Sequence, residues 1–224
     1  MPLVFRENVP GGVLLIWKVA ESEAELSRLV TPEDMAALEG LKPSRRRLES
    51  LAWRAAVRAE RPDATLSYND IGAPVIGGRG IPDERGSDDL RGDGRRGESS
   101  AGSRAYGCIS VAHTEDCVAV LLSENTCGVD IEESGRDFSR ALARFVSPQE
   151  AALADDLRLP AAIWCAKEAL YKASGRRGLD LLRDINITSA DIAAGVVRGR
   201  VADGPERDVR LIRYEGYMVA YLVF

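Results

Sequence analysis

The sequence predicts an α+β fold of two similar halves, each with helices packed on a small antiparallel sheet. Two observations carry this prediction: a pattern near residue 31 that returns near residue 147, and a run of strand-like segments at the end of the chain. The 224 residues suffice for one large domain or for two small ones packed together. We therefore expect a first half at 1–124 and a second half at 125–224.

The returning pattern begins each time with a helix start. Thr31–Ala36 reads TPEDMA and Ser147–Ala152 reads SPQEAA, so a capping hydroxyl precedes a proline suited to the first helical position. A tryptophan follows each copy, at Trp53 and at Trp164. The proline recurs after 116 residues and the tryptophan after 111, close to half the chain. Two echoes in the same order favour an internal duplication over chance.

The remaining elements are predicted from local composition. A helix should run from about Ser44 to Glu60, with an apolar stripe and a stop at Pro62. Runs rich in β-branched and aromatic residues predict strands, and Gly216 should lie in the turn of a final hairpin. The predicted strands are Val13–Ala20, Thr65–Tyr68, Cys108–Val111, Cys117–Leu122, Val129–Glu132, Ile185–Thr188, Val209–Arg213 and Tyr217–Val223.

One segment has a different character. Gly78–Arg104 contains seven glycines, six arginines and six acidic residues, with Ile81 and Leu90 as its only large apolar side chains. Such a segment buries too little surface to offset its ordering entropy, so we expect a disordered, dispensable surface insertion. Its Arg-Gly content also suggests RNA binding, but its charges cancel and it contains no aromatic residue.

Composition excludes several classes of protein. The net charge of −5 and the pI of about 5.2 argue against nonspecific nucleic-acid binding. The four cysteines form no C-x-x-C pair, which fits a reducing cytoplasm better than a disulfide framework. No apolar run approaches the roughly 18 residues that cross a bilayer, and residues 1–10 lack a signal-peptide pattern. We expect a cytoplasmic protein without a membrane partner.

Two carboxylates stand out on the strand that opens the second half. Asp130 and Glu132 are two residues apart, so they share one face, while Val129 and Ile131 point into a core. Paired carboxylates repel each other unless a cation lies between them, and hard oxygen ligands favour Mg²⁺ or Mn²⁺. The alternative is an exposed strand edge that carries two solvated acids.

A second charged group lies on a predicted helix that opens at Pro160 and closes at Gly175. Glu168 and Lys172 are four residues apart and share a helix face, so they could form an ordinary surface salt bridge. His113 is the only histidine of the chain and lies where an apolar strand meets a turn. A histidine in that position is often only a hydrogen-bonded structural residue.

Taken in order, these segments resemble the 4'-phosphopantetheinyl transferase superfamily, in particular its longer, pseudo-dimeric branch. The resemblance covers roughly Ser44 to Lys172. His113-Thr114 and two arginines of the first long helix, Arg46 and Arg54, also occupy positions typical of the family. The three matching motifs are G-[IV]-D-[IV]-E at Gly128–Glu132, R-F-[FV]-S-x-x-E at Arg144–Glu150 and W-[SCT]-x-K-E-[AS]-x-x-K at Trp164–Lys172.

The resemblance implies the superfamily's fold, with two halves related by pseudo-twofold symmetry, and transfer of phosphopantetheine from coenzyme A. The acceptor would be a serine of an acyl, polyketide or peptidyl carrier protein, and the enzyme would act as a monomer. Asp130, Glu132 and Glu168 would hold Mg²⁺, with Mn²⁺ as a possible substitute. Asp130, Glu168 and Lys172 would be catalytic, with Glu168 as the base for the serine proton.

The resemblance also implies a set of coenzyme A contacts, made by Arg46, His113, Thr114, Lys167 and Lys172. Three features depart from the family pattern. A usual Gly-Lys-Pro reads Gly72-Ala73-Pro74, so one phosphate-binding lysine is missing; a usual serine is Ala112; and the 78–104 insertion is unmatched. Two other functions remain open: a non-catalytic module that binds a carrier protein or coenzyme A, and a Mg²⁺ enzyme acting on another pyrophosphate.

Overall fold

The computed structural model describes residues 3–77 and 106–224, so the predicted insertion at 78–104 lies outside the described residues. The first part of the chain forms β1 (Leu3–Val9), β2 (Gly12–Lys18), α1 (Glu23–Leu26), α2 (Pro32–Ala36), α3 (Arg45–Glu60), β3 (Thr65–Tyr68), β4 (Pro74–Gly77), β5 (Cys108–His113) and β6 (Cys117–Ser123). The second part forms β7 (Cys127–Glu133), a 3₁₀ turn (Leu142–Arg144), α4 (Pro148–Ala151), α5 (Leu159–Ser174), β8 (Ile185–Asp191), β9 (Val196–Val201), β10 (Arg207–Tyr214) and β11 (Tyr217–Val223).

The strands form two main sheets, and all strand pairs are antiparallel. The first sheet has the order β1-β2-β6-β5 and the second has the order β7-β11-β10-β9-β8, while β3 and β4 form a separate hairpin. The predicted mixture of helices and antiparallel sheets is therefore confirmed. The pseudo-twofold relation between the halves stays a prediction.

The two sheets lie between the two long helices, so the protein has four layers. Alternate side chains of β2 explain this arrangement, because strand residues point to opposite faces in turn. Val13, Leu15 and Trp17 belong to the core under α3. Leu14 and Ile16 belong instead to a second core, where the first sheet meets Val129 and Ile131 of the second sheet. A third core packs α5 on the other face of the second sheet.

Two edge strands from different sheets run side by side at a seam. The backbone N–H of Val129 donates to the hydroxyl of Ser110 at 3.0 Å, and the sulfurs of Cys108 and Cys127 are 3.2 Å apart. Both contacts join residues 19 positions apart, so β5 and β7 run in the same direction. The seam fixes β7, which carries the candidate carboxylates, against β5, which ends in His113.

Both predicted helix starts are confirmed as capping boxes. Thr31 caps α2 together with Asp34, and Ser147 caps α4 together with Glu150, each with proline in the first turn. The helix predicted from Ser44 to Glu60 is α3, with Ser44 as its N-cap. Within the described residues, none of the helices has the length and apolar character needed to cross a membrane.

Candidate functional site

A glycine places helix α5 directly on strand β7. A Cβ atom at Gly128 would lie only 2.0 Å from the carbonyl oxygen of Ala169, so the two backbones approach closely because residue 128 has no side chain. Gly128, Asp130 and Glu132 share the face of β7 that is turned to α5. This contact brings Glu168 and Lys172 of α5 toward the two carboxylates of the strand.

Asp130 is the most buried acid of the group, with 7% of its surface exposed. Its Oδ1 accepts a hydrogen bond from Nζ of Lys172 at 2.8 Å, and the same ammonium donates to the carbonyl of Val129 at 2.9 Å. Its Oδ2 is buried without a hydrogen-bond partner among the described residues. Burial raises the pKa of Asp130 by desolvating the carboxylate, and Lys172 partly opposes that rise.

Glu132 is held in place by an indole. Nε1 of Trp164 donates to Oε1 of Glu132 at 2.8 Å, and the guanidinium of Arg136 pairs with the same oxygen. The Trp164 ring is itself packed edge-on against Phe145, with ring centroids 4.9 Å apart. Trp164, supported by Phe145, therefore fixes the orientation of the Glu132 carboxylate.

Glu168 completes an acidic group on this face. Burial raises its pKa first, and the nearby charges of Asp130 and Glu132 raise it further, while Lys172 acts in the opposite direction. The expected bridge between Glu168 and Lys172 is not the one that forms, since Lys172 pairs with Asp130. The three predicted metal ligands thus influence one another electrostatically.

The three carboxylates, Asp130, Glu132 and Glu168, are the type of ligand that a hard divalent cation prefers, but they do not converge on one point. Across residues 3–77 and 106–224, no three His, Cys, Asp or Glu side chains converge closely enough to hold an ion. The orphaned Oδ2 of Asp130 nevertheless lacks a partner that a cation would supply. Burial raises the pKa values of both Asp130 and Glu168, and the neighbouring carboxylates raise that of Glu168 further, so a cation at this place would offset a cost that Lys172 offsets only in part.

Lys167, expected from the family resemblance to hold a phosphate, has a structural position instead. It is 0% exposed, and its ammonium pairs with Glu150 at 2.7 Å and donates to the carbonyl of Leu181 at 2.9 Å. It therefore turns into the protein, one helix position away from Glu168. We remove Lys167 from the coenzyme A contacts.

The other predicted phosphate contacts lie in the first half. His113 is exposed at the end of β5, with its Nδ1 3.4 Å from Oε2 of Glu49. The hydroxyl of Thr114 accepts from the backbone N–H of Cys117 at 3.2 Å and so holds the β5–β6 turn. Arg46 is exposed in the first turn of α3. If the offset of 19 between β5 and β7 continues, His113 lies at the same level along the seam as Glu132.

A cleft of about 490 Å³ opens next to Lys172, between the two halves of the chain. One wall is the turn between β3 and β4, from Asn69 to Val75, and another is the end of α5 with the loop after it. Strand β5 and the start of β7 form its floor. Two arginines of the loop, Arg176 and Arg177, line the cleft and were not predicted from the sequence.

A sequence profile of the 4'-phosphopantetheinyl transferase superfamily matches residues 126–221, which confirms the family resemblance over that segment. The match spans β7, α5 and nearly all of β11, and so contains Asp130, Glu132 and Glu168. No match was found among curated proteins.

Proposed function

We propose that this protein transfers the 4'-phosphopantetheine arm of coenzyme A to a serine of an apo carrier protein and releases adenosine 3',5'-bisphosphate. It would thus be a Mg²⁺-dependent 4'-phosphopantetheinyl transferase with holo-[acyl-carrier-protein] synthase activity. The observation that carries the proposal is the acidic face formed by Asp130, Glu132 and Glu168. This face lies in the segment that matches the superfamily and adjoins a cleft between the halves.

The acidic face suits a reaction whose substrate brings negative charge. Asp130, Glu132 and Glu168 would hold the Mg²⁺ ion, which would neutralise charge on the pyrophosphate. Without a cation, the three carboxylates would repel such a substrate, and the charges of Asp130 and Glu132 already add to the burial that raises the pKa of Glu168. In phosphoryl-type transfer, positioning and charge neutralisation supply most of the catalysis.

The proton and the leaving group have candidate partners on α5. The serine oxygen bonds to the β-phosphorus of coenzyme A while the bond from that phosphorus to the leaving bisphosphate breaks. Glu168 takes the serine proton, a role that its raised pKa supports. Lys172 lines the cleft one helical turn further on, where its ammonium can donate to the leaving phosphate.

The remaining proposals concern the contacts with coenzyme A, the two halves and the acceptor. We propose that His113, Thr114 and Arg46 contact coenzyme A, and that the division at 1–124 and 125–224 separates a supporting half from the half with the metal ligands. The acceptor would be an acyl, polyketide or peptidyl carrier protein. We further propose that the enzyme acts as a cytoplasmic monomer.

The intact mass of apo carrier proteins, measured after incubation with the protein, coenzyme A and Mg²⁺, tests the proposal. We expect the mass of one phosphopantetheine to be added to at least one carrier. Alanine at Asp130, Glu132 or Glu168 should each reduce the rate by about 10²–10³, whereas Glu133→Ala, at an exposed position of the same strand, should not. Binding of coenzyme A and carrier without any mass gain would instead favour a non-catalytic module.

A further inference from the structure

The cleft between the halves has a one-sided charge distribution. Among its lining residues that the structure describes, Lys172, Arg176 and Arg177 are cationic and none is acidic. The ammonium of Lys172 is already engaged by Asp130 and by the carbonyl of Val129. Further positive charge that can face an incoming ligand therefore comes from the two arginines of the loop after α5.

The loop that carries these arginines is held at a fixed place. Gly175 ends α5 in the left-handed conformation, with φ of 62°, and Gly178 has φ of 74°, so glycines bracket the two arginines. The guanidinium of Arg177 then crosses to the opposite wall and donates to the carbonyl of Asp70 at 3.2 Å. The arginine thereby spans from the second half of the chain to the first.

The opposite wall is a preorganised turn whose cleft-lining residues are uncharged, and which also contains Asp70. The side-chain oxygen of Asn69 accepts from the backbone N–H groups of Ile71 and Ala73, at 3.1 and 2.9 Å. A Cβ atom built on Gly72 would lie 4.0 Å from the terminal nitrogen of Arg177. The guanidinium thus lies against the Gly72-Ala73-Pro74 segment, next to the position that carries alanine.

We propose that Arg177, with Arg176 beside it, forms the phosphate-binding wall of the cleft and supplies from the second half a cation that position 73 does not carry. The inference rests on the proposed function. The reacting pyrophosphate must lie near Asp130 and Lys172, so the arginines beyond the end of α5 face a more distant phosphate. In coenzyme A that group is the 3'-phosphate. A planar guanidinium suits it, because its N–H groups can donate two parallel hydrogen bonds.

Steady-state transfer with coenzyme A and with dephospho-coenzyme A, which lacks the 3'-phosphate, tests the proposal. Arg177→Gln should raise KM for coenzyme A about tenfold, the loss of one charge-assisted hydrogen bond, and leave kcat unchanged. The KM for dephospho-coenzyme A should stay as in the wild type. Arg200→Gln, at an exposed position of β9 away from the cleft, is the matched control.

A second variant asks whether the charge rather than the loop is needed. Ala73→Lys in the Arg177→Gln background places a cation on the facing wall and should restore most of the preference for coenzyme A. An Arg177→Gln protein that keeps the wild-type preference would overturn the inference while leaving the transferase proposal intact. Failure of the wild type to transfer to any carrier would instead remove the proposed function. In that case, calorimetric binding of the two nucleotides still tests Arg177 directly.

Discussion

Two similar helix–strand interfaces in this molecule differ in what they bury. In the first half, β2 presents Val13, Leu15 and Trp17 to the core under α3. In the second half, β7 presents Gly128, Asp130 and Glu132 to α5. The strand side of the first interface is apolar, whereas the strand side of the second carries two carboxylates and a glycine.

The same two halves agree in a second feature, away from the acidic face. Each has a short helix with a capping box, and the carboxylate of that box is buried against a cation of the long helix. Asp34 pairs with Arg58 at 2.7 Å, and Glu150 pairs with Lys167 at 2.7 Å. The halves thus share a way of attaching the long helix, and a few residues on one strand distinguish a scaffold from a candidate site.

The largest expected loss of stability follows from removing the cation that pairs with the capping-box carboxylate. Lys167→Met leaves the Glu150 carboxylate buried without its cation, which should cost about 3–5 kcal/mol of stability. Arg58→Met should cost less, because Arg54 remains 3.9 Å from Asp34, while Lys18→Met, at an exposed pair, should be nearly neutral. Chemical denaturation measures all three. A Lys167→Met protein of wild-type stability with a raised KM for coenzyme A would restore the phosphate role for Lys167.

A smaller loss of stability is expected at Gly128, where the backbones of β7 and α5 approach closely. Gly128→Ala forces a methyl group against the backbone of Ala169, so α5 must shift, at a cost of about 1–3 kcal/mol. Gly135→Ala, in the turn after β7 with no atom near the added Cβ, serves as the control. Equal melting temperatures for the two variants would show that the helix does not rest on the strand as described.

His113→Ala tests whether the first half contributes to substrate binding. We expect KM for coenzyme A to rise about tenfold, because one charge-assisted phosphate contact is lost, with kcat little changed. Glu49→Gln, which keeps His113 and alters the residue that pairs with both His113 and Arg45, should have a weaker effect. A steep fall in kcat at constant KM would assign His113 to the chemical step instead.

The smallest expected effect concerns the metal-free protein. Because the folded-state pKa of Glu168 is raised, its contribution to stability is present at low pH and is lost as the pH rises through that pKa. Glu168→Gln should therefore be slightly more stable than the wild type at neutral pH in EDTA, and the difference should vanish in acid. Glu133→Gln, at an exposed position of β7, is the control. A destabilised Glu168→Gln protein at pH 7 would contradict the electrostatic description.

The sequence predicted the elements whose signals are local. Capping boxes, prolines and β-branched runs located α2, α3, α5 and most strands. It missed the short elements α1 and β4. It also missed β1, where Arg6, Glu7 and Asn8 break the apolar pattern, and β9, where arginines alternate with valine and glycine. Pairing with a neighbouring strand decides such segments, and a single sequence does not show the neighbour.

The candidate site was predicted unevenly for the same reason. Spacing alone placed Asp130 with Glu132, and the helix period placed Glu168 near Lys172. Neither signal shows that Lys167 is fully buried, and its expected contact with coenzyme A came from the family resemblance alone. The link from Ser147 through Glu150 to Lys167 was partly readable, since a serine followed three residues later by glutamate is a capping-box signature.

The central claim is that β7 differs from β2 because its carboxylates hold a cation for coenzyme A. Calorimetry of coenzyme A binding, with and without Mg²⁺, tests it on the wild type and on Asp130→Leu, which replaces the carboxylate by an apolar side chain of the kind that β2 presents to α3. The account predicts that Mg²⁺ tightens binding to the wild type and not to the variant, whose metal-free melting temperature is equal or higher. An equal Mg²⁺ response in the two proteins would contradict it.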